Sequence, residues 1–206
     1  VCLITRNEEA FLEACLESVK GIAEQIVVMD TGSTDRTCEI AERFGAEVYR
    51  TKWTDDFSAA RNEALQYVRG DWVLILDADE ELSPEGRQSI QAEMNEQSVM
   101  AYRLPITESG HPEEGCSYVP RLFRNAPGLF FVGRVHEQIF SSVEVRRKPW
   151  RLKNQIGKSN LLHHGYSREV VQQKGKVERN LSLLMRAVEE MPNEQNLLLS
   201  LGNELI

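Results

Sequence analysis

The sequence lacks three features that would assign it to other classes of protein. No apolar run approaches the length of a membrane-spanning helix, and the mean hydropathy is −0.40. Positive charge is scarce, because 24 lysine and arginine residues stand against 32 aspartate and glutamate residues, and the net charge of −8 argues against a nucleic acid as partner. The four cysteines, Cys2, Cys15, Cys38 and Cys116, lack the spacing of a metal site, so we expect free thiols in a reducing cytoplasm.

The chain also lacks an initiator methionine and begins inside an apolar run. We therefore expect it to be part of a longer protein, and the absence of a signal peptide carries little weight. With 206 residues, the chain can bury a sizeable core as one domain with an appendage.

Apolar runs alternate with helical patterns in the first part of the chain. The strand-like runs lie at four places: 1–5, 25–30, 47–51 and 72–76. Helix N-caps are expected at Ser33 or Thr34 and at Asp56 or Ser58. This β-α-β alternation predicts an α/β fold with a mostly parallel sheet flanked by helices, whose ligands bind beyond the carboxyl ends of the strands.

Two aspartates follow the fourth apolar run. Residues two apart on a strand share a face, so we expect the carboxylates of Asp77 and Asp79 to point at the same bound ligand. Burying carboxylates beside an apolar strand is unfavourable unless a cation compensates them. A hard divalent ion that carries phosphate oxygens would do so. The alternative is an ordinary acidic loop after a strand.

Four landmarks in this order resemble those of family 2 glycosyltransferases. They are LITRNE at 3–8, VMDTGSTD at 28–35, ARN at 60–62 and LDADE at 76–80. The resemblance implies a GT-A, Rossmann-like domain over residues 1–166 and an inverting enzyme that uses a nucleotide sugar. It also implies the bacterial branch in which tetratricopeptide repeats follow, so residues 167–206 are expected to be the truncated start of such a region.

The resemblance places a catalytic base at His136-Glu137-Gln138. Inversion needs a base within hydrogen-bond reach of the acceptor hydroxyl. Where the family has an acidic pair, this chain has a single carboxylate, so Glu137 takes the base position while the register stays open by one residue. The alternative role for Glu137 is an ion pair with Arg134 or Arg121.

The same resemblance implies that Asp79 and His163 hold Mn²⁺ or Mg²⁺. His163 occupies the first position of a His-x-Gly-Tyr pattern that ends at residue 166. Adjacent residues of a strand face opposite ways, so only one of His163 and His164 should reach the ion. His164 is then left to packing or solvent.

Five further residues are candidates for contacts with a UDP-sugar donor: Thr5, Asn7, Asp30, Arg61 and Asp77. Asp77 and Asp30 would position the nucleoside, and Arg61 would meet the base or the diphosphate. Structural roles compete with two of these assignments, because Asp30 could cap the next helix and Arg61 could pair with Asp77 to order the loop.

The second half of the sequence has less regular patterns. Strands are predicted at four places: 99–106, 117–124, 143–147 and 161–166. A helix should begin at Pro84 behind the cap Ser83. His111 is expected in a solvated loop, and Trp53 and Phe57 are interpreted as core rather than as a stacking platform.

The segment 170–190 is charged and carries an apolar stripe, which predicts a helix. The stripe comprises Val177, Leu181, Leu184 and Val188. The following segment resembles the first helix of a tetratricopeptide repeat, which would offer a surface for a protein partner. The alternative is a single helix pair packed on the first domain.

Two rival functions are weighed against the enzyme. A nucleotidyltransferase would need a glycine-rich loop after the first strand, and residues 5–9 contain no glycine. A non-catalytic scaffold would be favoured by loss of Asp79 or Glu137, and both are present. We therefore expect a cytoplasmic transferase, with peripheral attachment to the inner membrane face left open. Its acceptor would be a glycan, a lipopolysaccharide-type sugar or a peptide.

Overall fold

The computed structural model of the protein describes residues 1–110, 115–164, 170–190, 192 and 195–204. The predicted loop position of His111 and the Gly165-Tyr166 end of the histidine pattern lie outside these residues. Within the described part of the chain, no helix is both long and apolar enough to cross a membrane.

Three parallel strands form the first sheet, with β2 between β1 and β3. The strands are β1 (Cys2–Thr5), β2 (Val27–Asp30) and β3 (Glu47–Arg50), and the helices are α1 (Leu12–Ser18), α2 (Thr37–Arg43) and α3 (Phe57–Leu65). These elements agree with the predicted alternation. The carboxyl ends of the three strands therefore share one edge.

A second sheet follows in the chain. Its strands and helices are β4 (Trp72–Leu74), β5 (Glu80–Leu82), α4 (Pro84–Asn95), β6 (Val99–Glu108), β7 (Cys116–Arg124), α5 (Phe140–Trp150), β8 (Lys153–Ile156) and β9 (Leu161–His163). The strand order is β4-β7-β6-β9-β5, and β8 pairs with β6. The α/β class, with sheet flanked by helices, is confirmed.

The predicted fourth parallel strand has two partners. β4 pairs antiparallel with β7, whereas the two residues after it reach β1: Ile75 forms a parallel bridge to Cys2, and the Leu76 amide donates to the Cys2 carbonyl at 3.3 Å. Among the described strands, four pairs are parallel and three are antiparallel. The predicted parallel pairing is thus confirmed at the end of the run, whereas residues 72–74 have an antiparallel partner, because an apolar run indicates burial on both faces but does not identify the neighbouring strand.

Burial on both faces explains the continuous apolar runs of β1 and β2. Leu3 and Val28 belong to one apolar cluster, whereas Cys2, Val27 and Met29 belong to another. Successive residues of each strand thus alternate between two covered faces, as in parallel sheets flanked by helices. The same arrangement leaves polar residues at the ends of the strands, where the apolar cover stops.

The predicted strand at 143–147 is wrong, because these residues lie in α5. Val143 is fully buried one helical turn after Ile139, whereas Val145 is 73% exposed. This i, i+4 spacing places one apolar face of the helix on the core. The side chain of Glu144 also pairs with Arg147 one turn later, at 2.6 Å.

Two predicted N-caps are confirmed. The Asp56 carboxylate accepts from the Ala59 amide at the start of α3, and the Ser83 hydroxyl accepts from the Gly86 amide at the start of α4, each at 3.0 Å. These bonds satisfy amides that have no partner within the helix.

The cap predicted for α2 is wrong. The helix begins at Thr37, whose amide donates to Asp35 at 3.0 Å. Ser33 and Thr34 instead bond to Asn7. The Asn7 backbone N–H donates to the Ser33 hydroxyl at 2.9 Å, and the Thr34 backbone N–H donates to Asn7 Oδ1 at 2.8 Å. The two loops are therefore tied together.

Two helices, α6 (Val170–Glu190) and α7 (Gln195–Glu204), end the described chain and contact each other. The predicted helix over 170–190 is confirmed. Within 178–190, the part of this helix whose side chains the structure describes, Leu183, Leu184 and Ala187 are buried; Leu184 belongs to the predicted stripe, and the other two lie beside it. The division into domains at residue 166 and the continuation as a repeat array stay predictions.

Candidate active site

A cavity of about 600 Å³ opens beyond the carboxyl ends of β1 and β2. Seven of the eight predicted site residues line it: Thr5, Asn7, Arg61, Asp77, Asp79, Glu137 and His163. Asp30 is not among the lining residues in the described part of the chain. The cavity thus brings together residues from widely separated parts of the sequence.

Asp77 and Asp79 lie in a turn rather than on a strand. β4 ends at Leu74, and the Glu80 amide donates to the Asp77 carbonyl at 3.0 Å. The expectation that both carboxylates share a strand face is therefore wrong. The turn directs Asp77 towards two arginines and Asp79 towards His163, although both aspartates still line the cavity.

A buried ion-pair network holds Asp77. Arg61 Nη2 donates to Asp77 Oδ1 at 2.6 Å, and Arg121 Nη2 donates to Asp77 Oδ2 at 2.7 Å. Burial alone would raise the pKa of Asp77, but the guanidinium groups of Arg121 and Arg61 hold it well below its usual value. Arg121 also pairs with Glu80 at 2.6 Å. Burial raises the pKa of Glu80 to about 7, although Arg121 opposes this shift.

Arg61 takes the structural role that competed with nucleotide binding in the sequence. Its side chain is buried, and besides Asp77 it contacts Glu137 through Nε. Glu137 therefore pairs with neither Arg134 nor Arg121, the two partners suggested from sequence. Arg61 Nη1 is buried and has no hydrogen-bond partner in the part of the chain that the structure describes.

Glu137 ends a tight loop, the base loop, which comprises residues 133–137. The amides and carbonyls of Val132 and Gln138 close it, with hydrogen bonds of 3.0 and 2.8 Å. Gly133 has φ 105° and His136 has φ 53°, so the backbone turns sharply twice. The Glu137 side chain is 14% exposed and lies at the cavity wall.

Asp79, His163 and Glu108 form a second polar group in the same region. His163 Nε2 lies 3.4 Å from Asp79 Oδ2, and His163 Nδ1 lies 2.9 Å from the Glu108 carboxylate. The hydrogen bond to Asp79 raises the pKa of His163 to about 9 against the opposing effect of burial, and Glu108 adds to the shift. In this arrangement the imidazole carries a proton at neutral pH.

The chemistry of this pair fits a divalent ion. Two ligand atoms bound to one ion at about 2.0–2.2 Å lie about 3 Å apart, close to the distance between Asp79 and His163. Glu108 on Nδ1 would fix the ring orientation, as carboxylates commonly do for metal-binding histidines. No group of three or more candidate ligands occurs within the described residues, so a bound ion would need further oxygen ligands from substrate or water.

The adjacent histidines diverge. His163 lines the cavity, whereas His164 Nε2 lies 2.9 Å from Glu81 Oε1. The His164 amide donates to the Asp79 carbonyl at 2.9 Å, so the backbone of this strand also supports the turn. The geometry thus makes His163 the available ligand, and its binding of a metal stays a prediction.

The remaining nucleotide candidates differ in their surroundings. Thr5 is buried, and its hydroxyl has no hydrogen-bond partner within the described residues. Asn7 has φ 56° and links two loops through Thr34. Asp30 is also buried, and its Oδ1 accepts from the amides of Gly32 and Ser33, both at 3.1 Å. Asp30 therefore holds the turn after β2, close to the capping role that competed in the sequence.

Sequence reasoning missed several residues of the cavity. Trp53 and Phe57 line it and also pack against the cluster of Val135 and Leu184, so they serve both as wall and as core. Arg179 lines it from α6, with its guanidinium 5.2 Å from the centre of the Phe57 ring. No motif marked these residues, because their place depends on how α6 packs.

The comparisons with known proteins show the family of the chain. Residues 1–115 match the family model described as Glycosyl transferase family 2. A TPR repeat-containing protein of Synechococcus elongatus is 36% identical over 100% of this chain and 52% of the relative. The prophage-derived glycosyltransferase SunS of Bacillus subtilis is 29% identical over 98% of this chain and 48% of the relative. The chain spans about half the length of these curated relatives.

Solved structures share the fold. S. aureus TarS 1–349 in complex with UDP-GlcNAc has a TM-score of 0.62 at 15% identity, over 90% of this chain and 65% of that chain. Glucosyl-3-phosphoglycerate synthase from Mycobacterium tuberculosis, in complex with Mn²⁺ and UDP-glucose, has a TM-score of 0.57 at 18% identity, over 88% of this chain and 75% of that chain. At such identities the likeness concerns the GT-A-like α/β fold alone.

Proposed function

Because the chain belongs to glycosyl transferase family 2, we propose that it transfers a sugar from a nucleotide-sugar donor to an acceptor hydroxyl, with inversion at the anomeric carbon. One observation carries the proposal: a carboxylate–histidine pair and a separate oriented carboxylate line the same cavity. The first can hold a metal–diphosphate, and the second can take a proton from the acceptor.

The donor is proposed to be a UDP-sugar, since two proteins of similar fold were solved with UDP-GlcNAc and with UDP-glucose. Thr5 and Arg61 line the cavity, and the Thr5 hydroxyl and Arg61 Nη1 are buried there without a hydrogen-bond partner among the described residues. Asn7 and Asp77 line the same region. Asp30 would act on the nucleoside through the turn that its carboxylate holds, because Thr31 in that turn lines the cavity.

Asp79 and His163 would hold Mn²⁺ or Mg²⁺, which would neutralise the charge of the departing nucleoside diphosphate. Glu108 keeps the His163 ring in one orientation. The proton that Asp79 stabilises on His163 has to leave before the ring nitrogen can act as a ligand. Because the protein is acidic, such a cation would also offset the repulsion between its carboxylates and an anionic donor.

Glu137 is the proposed base. It accepts the proton of the acceptor hydroxyl while the oxygen attacks the anomeric carbon from the face opposite the diphosphate. The bond between sugar and diphosphate breaks, and its electron pair leaves with the nucleoside diphosphate. Arg61 contacts Glu137 and Asp77 together, so it keeps the base and the donor side of the site in register.

The acceptor and the partners of the whole protein are proposed by chemical class. A glycan, a lipopolysaccharide-type sugar or a peptide hydroxyl would each satisfy the base. A protein partner bound by helices beyond α7 is part of the same proposal.

The proposal is tested with Asp79→Ala. Calorimetry with UDP should show tight binding by the unaltered chain in Mn²⁺ and weak binding in chelator, because two carboxylates otherwise face the diphosphate. The Asp79→Ala variant should lose the Mn²⁺-dependent part, and hydrolysis of UDP-glucose or UDP-GlcNAc should stop.

The matched control is Asp71→Ala, which removes an exposed aspartate that does not line the cavity. Equal UDP affinity in chelator and in Mn²⁺ would refute the metal-dependent site. Cleavage of a nucleoside triphosphate instead of a nucleotide sugar would favour a nucleotidyltransferase, and binding without turnover would favour a scaffold.

A further inference from the structure

Helix α6 contacts the base loop at Arg134, three residues before Glu137, which Arg61 contacts. Arg134, the second residue of this loop, donates through Nε and Nη2 to the carboxylate of Glu190 at 2.9 and 2.5 Å. Its Nη1 donates to the Asp55 carbonyl at 3.3 Å. Such a two-pronged bond between arginine and carboxylate fixes direction as well as distance.

The segment before α3 is held at the same place. The Asp55 carboxylate accepts from Arg186 of α6 at 2.5 Å, and the Phe57 amide donates to the Arg134 carbonyl at 2.9 Å. The base loop, the start of α3 and the end of α6 therefore meet around Arg134. Glu137 is connected to this junction in two ways. It belongs to the base loop, and it contacts Arg61, which lies on α3.

An apolar contact accompanies the ion pairs. Val135 is 5% exposed and belongs to one cluster with Leu183 and Leu184 of α6, which are 2% and 0% exposed. His136, between Val135 and Glu137, has φ 53°, a conformation that is unfavourable for a residue other than glycine. Strained residues of this kind persist when their surroundings hold them, and here the residues on both sides of His136 are anchored.

We propose that Arg134 is a positioning residue, and that α6 acts through it to set the place of Glu137 in the acceptor side of the site. This inference rests on the proposed function, because it takes Glu137 to be the base. Arg134 does not line the cavity within the described residues and touches no reacting group. Asp79 and His163 lie on other elements, so the effect should fall on turnover and leave donor binding alone.

The experiment uses Arg134→Gln, Arg134→Lys, Glu190→Gln and the double variant Arg134→Gln/Glu190→Gln. Glu13→Gln is the matched control, since Glu13 forms an exposed ion pair with Arg43 at 3.1 Å and neither residue lines the cavity. Turnover is measured as hydrolysis of UDP-glucose and UDP-GlcNAc in Mn²⁺. The dissociation constant for UDP is measured by calorimetry.

Arg134→Gln should lower kcat by about 10- to 100-fold, the effect of small misplacement of a reacting group, with the UDP dissociation constant unchanged. Arg134→Lys should restore part of the loss. Glu190→Gln should lower kcat only about two- to fivefold, because exposed ion pairs contribute little. The double variant should equal Arg134→Gln, and Glu13→Gln should match the unaltered chain.

Hydrogen exchange supplies a readout that does not depend on activity. The amides of Val132 and Gln138, which close the base loop, should exchange faster in Arg134→Gln and Glu190→Gln. Their exchange rates should not change in Glu13→Gln. Any of three results for Arg134→Gln would overturn the inference: unchanged exchange of the two amides, unchanged kcat, or a loss of UDP affinity as large as the loss of kcat. If the unaltered chain hydrolyses neither sugar nucleotide while exchange responds as expected, the proposed function fails and the coupling of α6 to the loop stands.

Discussion

At the scale of single residues, Arg61 is the link between the two halves of the candidate site. Its buried guanidinium contacts Asp77 on the donor side and Glu137 on the acceptor side, and one nitrogen remains without a partner among the described residues. A buried charge is favourable only when opposite charges compensate it. Arg61 therefore orients both carboxylates, which in turn stabilise its buried guanidinium.

Glu137→Gln should lower kcat by roughly 10²–10⁴-fold and leave the dissociation constant for UDP nearly unchanged. The amide can still accept from Arg61 but cannot take a proton from the acceptor. Steady-state hydrolysis and calorimetry measure the two quantities. Glu144→Gln is the control, because Glu144 pairs with Arg147 on α5 away from the cavity. Full turnover in Glu137→Gln would place the base elsewhere.

The adjacent histidines offer a matched pair of variants. His163→Ala should weaken Mn²⁺-dependent hydrolysis and recover in part at higher Mn²⁺, because the ion loses one ligand but keeps Asp79. His164→Ala should lower thermal stability more than metal dependence, since His164 contacts Glu81 rather than the cavity. A Mn²⁺ titration of both variants decides between them. A stronger metal effect for His164 would show that the assignment of the ligand is wrong.

At the scale of secondary structure elements, α4 approaches the segment before β9 unusually closely. A Cβ atom added to Gly86 would lie 2.7 Å from the Asn160 carbonyl oxygen and 2.8 Å from Leu82 Cδ1. The Ser83 amide donates to that same carbonyl at 3.0 Å. The start of α4 is thus fastened to the segment that leads to His163.

Gly86→Ala should therefore lower the free energy of unfolding by about 1–3 kcal/mol, as overpacking does, although alanine favours helices over glycine. Urea unfolding followed by circular dichroism measures the change. Gly202→Ala in α7 is the control, because a Cβ there meets no atom within 4 Å. It should be neutral or stabilising by up to about 1 kcal/mol. Equal effects of the two substitutions would contradict the close packing at Gly86.

At the scale of the whole molecule, stability should depend on keeping buried thiols neutral. Cys2 is 2% exposed in the cluster below the first sheet, and burial raises its pKa from 9.0 to about 11, although Arg61 opposes the shift. A raised folded-state pKa means that the stabilisation is complete below pH 9 and is lost as pH rises through about 11.

Between pH 9 and 11, the unaltered chain should lose about 2–3 kcal/mol more of its free energy of unfolding than Cys2→Ala does. The expected size follows from the difference between the two pKa values. Denaturant titrations at several pH values measure both curves, and their difference removes the contribution of tyrosine and lysine side chains. Parallel curves for the two proteins would show that ionisation of this thiol does not limit alkaline stability.

The sequence by itself determined most of the local elements and most of the residues proposed for the site. Its apolar runs predicted β1 and β2, because burial on both faces leaves a continuous pattern that needs no knowledge of neighbours. The third strand, whose side chains are half-buried or exposed, was predicted from its place between two helical patterns. The caps Asp56 and Ser83 could be predicted since they act on amides within their own turn. Seven of the eight residues chosen at strand ends and motifs proved to line one cavity.

Only the tertiary structure decided which groups meet across the chain. The pairing of β4 with β7, the separate directions of Asp77 and Asp79, and the packing of α6 on the base loop left no local pattern. Arg61 and Glu137 are 76 residues apart, and Arg134 and Glu190 are 56 apart. A charged side chain has the same local signature whether its partner is a substrate or another side chain. The choice is made only when the packing of the chain brings both groups within bonding distance.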